Sequence, residues 1–221
     1  MLELINISKR YKDKWVLKDI HMKLNEERCV GILGVNGSGK TTLLSILAGV
    51  LKPNSGKVMY SDVDLLKNQT LRRKLIAYIP QKSPLIEELN ALDNLKLWYD
   101  KEELKKEISS GVISLLGVDE FLKKPVSALS MGMKKRLSIA CAVASKPKIL
   151  LMDEPSAYLD IICKADIHRY ISEHKRQGGS IILVSHDVGD FTVCDEHYVL
   201  KSGVLSPFEY KDNVDELIKK L

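Results

Sequence analysis

The segment Gly34-Val35-Asn36-Gly37-Ser38-Gly39-Lys40-Thr41 carries the strongest chemical signal in the chain. Gly34, Gly37 and Gly39 permit backbone conformations that side chains forbid, so successive N–H groups can converge on one anion. An apolar strand precedes the segment and a helical pattern follows it, and the positive end of that helix adds to the field. Asn36, Ser38 and Thr42 complete the candidate phosphate cradle. Lys40 is placed to bring an ammonium to the β- and γ-phosphates of a nucleotide, and the Thr41 hydroxyl to ligate a Mg²⁺ ion bridging them. A second signal is Lys148-Ile149-Leu150-Leu151-Met152-Asp153-Glu154, an apolar strand that ends in two carboxylates. Burying charge there is costly unless a cation or a reaction uses it. Asp153 suits the ion, and Glu154 suits a general base that orients and deprotonates an attacking water.

Further motifs follow in an order that resembles the nucleotide-binding domains of ABC ATPases, over about Leu2 to Leu205. Leu129-Ser130-Met131-Gly132-Met133 looks like the family's signature at a helix start. It departs from the usual pattern at Met131, where Gly is common, and at Met133, where Gln is common. The resemblance implies that Ser130 and the N–H of Gly132 reach the γ-phosphate of an ATP held by a second subunit, in a head-to-tail dimer. Gln81 matches the glutamine that senses Mg²⁺ and water and contacts a membrane partner. His186 matches the switch histidine between Glu154 and the γ-phosphate, and Tyr11 sits where the family stacks an aromatic on adenine. Leu159-Asp160 resembles the loop at the subunit interface, although Tyr158 before it is bulkier than the usual small residue. Taken singly, Gln81 reads as a turn residue, His186 as a satisfied polar group and Asp160 as a helix N-cap.

What the resemblance implies is an ATPase using ATP and Mg²⁺, whose dimer closes on ATP and reopens on hydrolysis. It would power a separate transmembrane permease from the cytoplasmic face of the membrane. Residues 84–95, PLIEELNALDNL, resemble the opening of the helical lobe in exporter ATPases and point to export. The alternative is a soluble ABC ATPase of an assembly system such as metal-cluster biogenesis. No NKxD-like guanine motif favours GTP.

These residues need elements to hold them. Apolar runs at 29–33, 75–79, 149–152, 181–184 and 197–200 are apolar on consecutive positions, as strands covered on both faces require. Helical patterns at 40–50, 92–98, 102–116, 131–145 and 160–177 alternate with them. The expectation is an α/β fold: a P-loop NTPase core with a mostly parallel sheet, an N-terminal antiparallel β subdomain, and an inserted α-helical subdomain at approximately 84–145. All of it is expected to form one domain over 1–221.

The 221 residues carry a net charge of +5 and 45% apolar residues, enough for a sizeable core. Lysines and acids are interleaved, which makes no case for nucleic acid as a partner. The four cysteines lie far apart with no zinc-like spacing, as in a reduced, cytosolic chain. Residues 1–10 do not read as a signal peptide, no apolar run approaches a bilayer span, and little chain follows Leu205.

Overall fold

A computed structural model describes residues 1–210 of the chain. Two sheets lie in it. The first is antiparallel, with strand order β2-β1-β4-β5, built from β1 (Leu2–Tyr11), β2 (Lys14–Leu24), β4 (Ser55–Tyr60) and β5 (Val63–Asp64). The second has six strands in the order β10-β9-β3-β8-β7-β6. Its strands are β3 (Cys29–Leu33), β6 (Ile76–Ile79), β7 (Ile149–Asp153), β8 (Ser180–Ser185), β9 (Glu196–Lys201) and β10 (Val204–Pro207). Every pairing in it is parallel except β9 with β10. All residues of β3, β7 and β8 are buried, which is why their sequences are apolar without alternation.

Helix α1 (Lys40–Ala48) packs Leu43, Leu44, Ile46 and Leu47 into one core with β1 and β2, each of them fully buried. Burial of such side chains contributes roughly 1.5–3 kcal/mol apiece, so the start of α1 is anchored from beneath. The second core joins β7 and β8 to the helices between β6 and β7: α3 (Ala91–Lys96), α4 (Lys101–Ser110), α5 (Val112–Leu115) and α6 (Met131–Ala142). These fall within the expected helical insertion. Helix α7 (Ile161–Arg176) packs on the same core through Ile167, Tyr170 and Ile171.

Several expectations need correction. The single helix predicted over 102–116 is divided at Gly111, because the Glu107 carboxylate accepts the N–H of Val112 at 2.7 Å and caps a new start. Helix α2 (Gln69–Leu75), capped by Asn68, occupies a stretch with no predicted element. Strands β4 and β5 were likewise not predicted: in β4 only Val58 is buried, and the strand exists through its pairing with β1. The helix predicted over 40–50 stops at Ala48, where Gly49 takes a left-handed conformation, and that predicted over 131–145 stops at Ala142.

His174 near the end of α7 is buried against Tyr170 and Gly179. Burial pushes its imidazole down to about 4, against a smaller opposing hydrogen bond to the Lys148 backbone. The folded state therefore prefers neutral His174. That preference stabilises the fold fully above about pH 6.5 and is lost as pH falls toward 4. Between pH 7 and pH 5 urea denaturation should show a loss of about 2 kcal/mol that His174→Gln lacks. An equal loss in the variant would refute the assignment.

Candidate active site

β3 delivers the chain into residues 34–39, and α1 begins at Lys40. Gly39 has φ +111, and a Cβ there would stand 2.9 Å from the Val16 carbonyl oxygen of β2. Gly37 has φ +80 but nothing within 4 Å of a notional Cβ. Glycine at 39 thus answers both conformation and space, and at 37 conformation alone. Ser38 is buried and its Oγ has no hydrogen-bond partner among the described residues. Lys40 is 7% exposed; its Nζ donates to the carbonyls of Gly34 at 2.6 Å and Val35 at 3.4 Å.

Opposite the loop, β7 ends in the carboxylate pair. Asp153 Oδ2 accepts the Tyr78 hydroxyl at 3.1 Å, while Oδ1 is buried and has no partner among the described residues. Burial raises the Asp153 carboxyl above the usual range, opposed by hydrogen bonds from Thr41 and Tyr78. Burial, reinforced by the Asp153 charge, pushes the Tyr78 phenol up as well. Glu154 has φ +49, held by its N–H bond to Val184 O at 2.9 Å. A non-glycine residue in that conformation costs about 1–3 kcal/mol. The turn keeps its carboxyl in the site: Oε1 lies 3.7 Å from Lys40 Nζ. Oε2 accepts the His186 backbone N–H at 3.2 Å and lies 2.7 Å from His186 Nδ1.

Lys40, Thr41, Thr42, Asn36, Gln81, Glu154, His186 and Tyr11 all line one cavity of about 310 Å³. Gly37 and Gly39 also line it, Gly34, Ser38 and Asp153 adjoin it through the loop and Thr41, and Tyr11 is half exposed at its rim. A larger cavity of about 560 Å³ between α4, α5 and α7 contains none of these residues. Ser130 and Gly132 stand apart, at the start of α6. Ser130 is exposed and accepts the Met133 N–H at 3.2 Å as an N-cap. Gly132 is required by packing, since a Cβ would meet Cys163 Sγ at 2.4 Å. Asp160 caps α7 by accepting the Cys163 N–H at 2.9 Å.

One residue escaped the motif reading, and two others have a place at the site that their spacing did not show. Tyr78 bonds Asp153 from the neighbouring strand; its place before Pro80-Gln81 gave no chemical signal. Tyr158, named above only for its bulk, has φ +62, is 79% exposed and lines the cavity. Lys135 is buried in α6, and burial pushes its ammonium down to about 8 despite the carboxylates of Asp153 and Glu154. Among the described residues no three His, Cys, Asp or Glu side chains cluster as a metal cage. The buried Asp153 Oδ1, without a partner among the described residues, instead fits a hard divalent cation that would take its remaining ligands from phosphate and water.

The pattern of the ABC transporter family matches residues 17–157. The chain belongs to the ABC transporter ATP-binding family. As an ABC-type ATPase domain it is 34% identical to YybJ, an ABC transporter ATP-binding protein of Bacillus subtilis, over 95% of this chain and 96% of that one. It is 29% identical to LptB, the lipopolysaccharide export ATP-binding protein of Haemophilus influenzae, over 98% of this chain and 94% of that one. Against PotA of Mesoplasma florum, a spermidine/putrescine import ATP-binding protein, identity is 35% over 92% of this chain, which spans only 59% of PotA. Among solved structures, a dimeric ATP-binding cassette in a post-hydrolysis state with ADP and Pi is similar, with a TM-score of 0.84 and 26% identity over 95% of this chain and 100% of that one.

The two glycines of this ABC cassette make a matched test. Gly37→Ala should cost about 1–2 kcal/mol, the left-handed term alone. Gly39→Ala should cost more, because the Val16 carbonyl must also move. Equal losses on chemical denaturation would show that the contact between this loop and β2 carries no strain.

Proposed function

We propose that this chain is the ATP-hydrolysing subunit of an ABC transporter, driving substrate through a separate transmembrane permease from the cytoplasmic face of the membrane. The observation that carries this reading is the meeting of Lys40, Gln81, Glu154 and His186 around one cavity. The backbone of 34–39 and Lys40 bind the β- and γ-phosphates of ATP, and Tyr11 stacks on the adenine. Thr41, Asp153 and Gln81 hold Mg²⁺, which when bound neutralises charge on the phosphates. Glu154 orients the attacking water and takes its proton, and the His186 Nδ1 fixes that carboxyl. Ser130 and the N–H of Gly132, which stand outside the cavity, serve the ATP of a second subunit.

The proposed dimer is supported by exposed apolar residues. Where α6 meets α7, Met131 is 61% exposed, Ile161 83% and Ile162 71%. The proposed permease contact is supported by a groove of about 240 Å³ between β6 and α6, lined by Ala77, Leu85, Ala142 and the 63% exposed Trp98. Among the described residues no helix is long and apolar enough to cross a membrane. Export as the direction rests on residues 84–95 and on the similarity to LptB across nearly its whole length. The relatives named above are transporter subunits, which favours transport over an assembly system. We read the chain as one ABC ATPase domain over 1–221 with its helical subdomain at approximately 84–145; residues 211–221 lie outside the described residues.

The deciding experiment is light scattering after size exclusion with ATP and Mg²⁺. Glu154→Gln should convert from monomer to dimer, Lys40→Ala should stay monomeric, and steady-state hydrolysis by Glu154→Gln should fall by about 10²–10⁴-fold. Full hydrolysis by Glu154→Gln would remove Glu154 as the base; a dimer in Lys40→Ala would sever dimerisation from ATP.

A further inference from the structure

Helix α6 joins two surfaces. Ser130 at its start is exposed, while Lys135 further along is only 4% exposed. The Lys135 Nζ donates to the carbonyl oxygen of Pro80 at 2.9 Å and to that of Gln81 at 3.0 Å. Pro80 and Gln81 are the residues by which the chain leaves β6, and Gln81 lines the nucleotide cavity. Burying an ammonium is unfavourable, and a methionine of similar length would fill the same space with no charge to desolvate. The charge is accommodated by two carbonyls of one loop, and a local rule broken in this way belongs with functional positions.

We propose that Lys135 is the positioning residue for Gln81. Its ammonium fixes the backbone of residues 80–81 so that the Gln81 side chain faces the cavity, and it ties that loop to the helix whose N-cap is Ser130. A shift of α6 is thereby passed to Gln81 through two hydrogen bonds. The proposal rests on the ATPase reading above, and it concerns a residue that does not itself touch the nucleotide.

A double-mutant cycle on the full chain tests it, with steady-state ATPase rates for the unmodified protein, Lys135→Met, Gln81→Ala and the double variant. Interaction within one hydrogen-bonded network is commonly large enough for a tenfold effect. Lys135→Met should lower kcat by about tenfold with KM for ATP changed by less than about twofold. In the Gln81→Ala background Lys135→Met should change kcat no further. Hydrogen exchange supplies a readout independent of turnover: the amides of Gln81, Lys82, Ser83 and Leu85 should exchange faster in Lys135→Met, while those of β7 and β8 stay as protected as before. Should Lys135→Met fail to fold, Lys135→Ala, which removes the donor with less bulk, runs the same cycle. Equal kcat losses in both backgrounds, or unchanged exchange at those amides, overturns this proposal alone. Absence of hydrolysis by the unmodified protein overturns the ATPase reading and the proposal with it.

Discussion

The structure depends on keeping an ammonium and two carboxyl groups out of water at one end of a parallel sheet. Lys40, Asp153 and Glu154 are each at most 7% exposed. Isolated, any of them would be costly there; together, with the Tyr78 hydroxyl and the His186 N–H supplying hydrogen bonds, the cost is lowered. The sheet makes this possible. Strands β3, β7 and β8 are buried along their whole length and run parallel, so their carboxyl ends arrive side by side and the loops that follow share one crevice. The left-handed turn at Glu154 belongs to the same constraint: only a reversal directly after the strand leaves its carboxyl within reach of both Lys40 and His186.

The second organising element is α6. One face fills the core through Leu137, Ile139 and Ala140, its first turn is capped by Ser130, and Gly132 rests on Cys163 of α7. Arg136 adds an ion pair to Asp166 at 3.2 Å, again to α7. A helix bound to α7 on one side and to residues 80–81 on the other has little freedom to move alone. Displacement at its exposed end is shared with both neighbours.

Much of this was legible in the residues because buried strands and phosphate loops have strict requirements. β3, β7 and β8 declared themselves as unbroken apolar runs, and the glycines of 34–39 with Lys40 and Thr41 placed the cavity. What escaped was set by partners distant in sequence. β4 is a strand because β1 pairs with it, with Val58 as its sole buried residue. The break at Gly111 depends on a carboxylate four residues earlier folding back to Val112. Tyr78 reads as one more residue of an apolar strand, and only its hydroxyl's reach to Asp153 across the β6–β7 pairing reveals a role. Lys135 sits in a run of three basic residues, Lys134 to Arg136, directly after the signature-like segment, and the run does not tell its members apart: Lys134 makes an exposed bond to Glu87 while Lys135 turns inward.

The approach of Gly39 to the Val16 carbonyl has a further consequence. Val16 belongs to the antiparallel sheet and Gly39 to the loop that opens α1, so the loop is wedged into the seam between the two sheets. The same seam is closed from the far edge by the Lys18 N–H on Gly203 O at 2.7 Å. Whatever stiffens the loop also stiffens that joint, so the N-terminal strands act as a mechanical gauge of the loop, and a probe fixed to their outer face would register a change at the phosphate cradle without touching it.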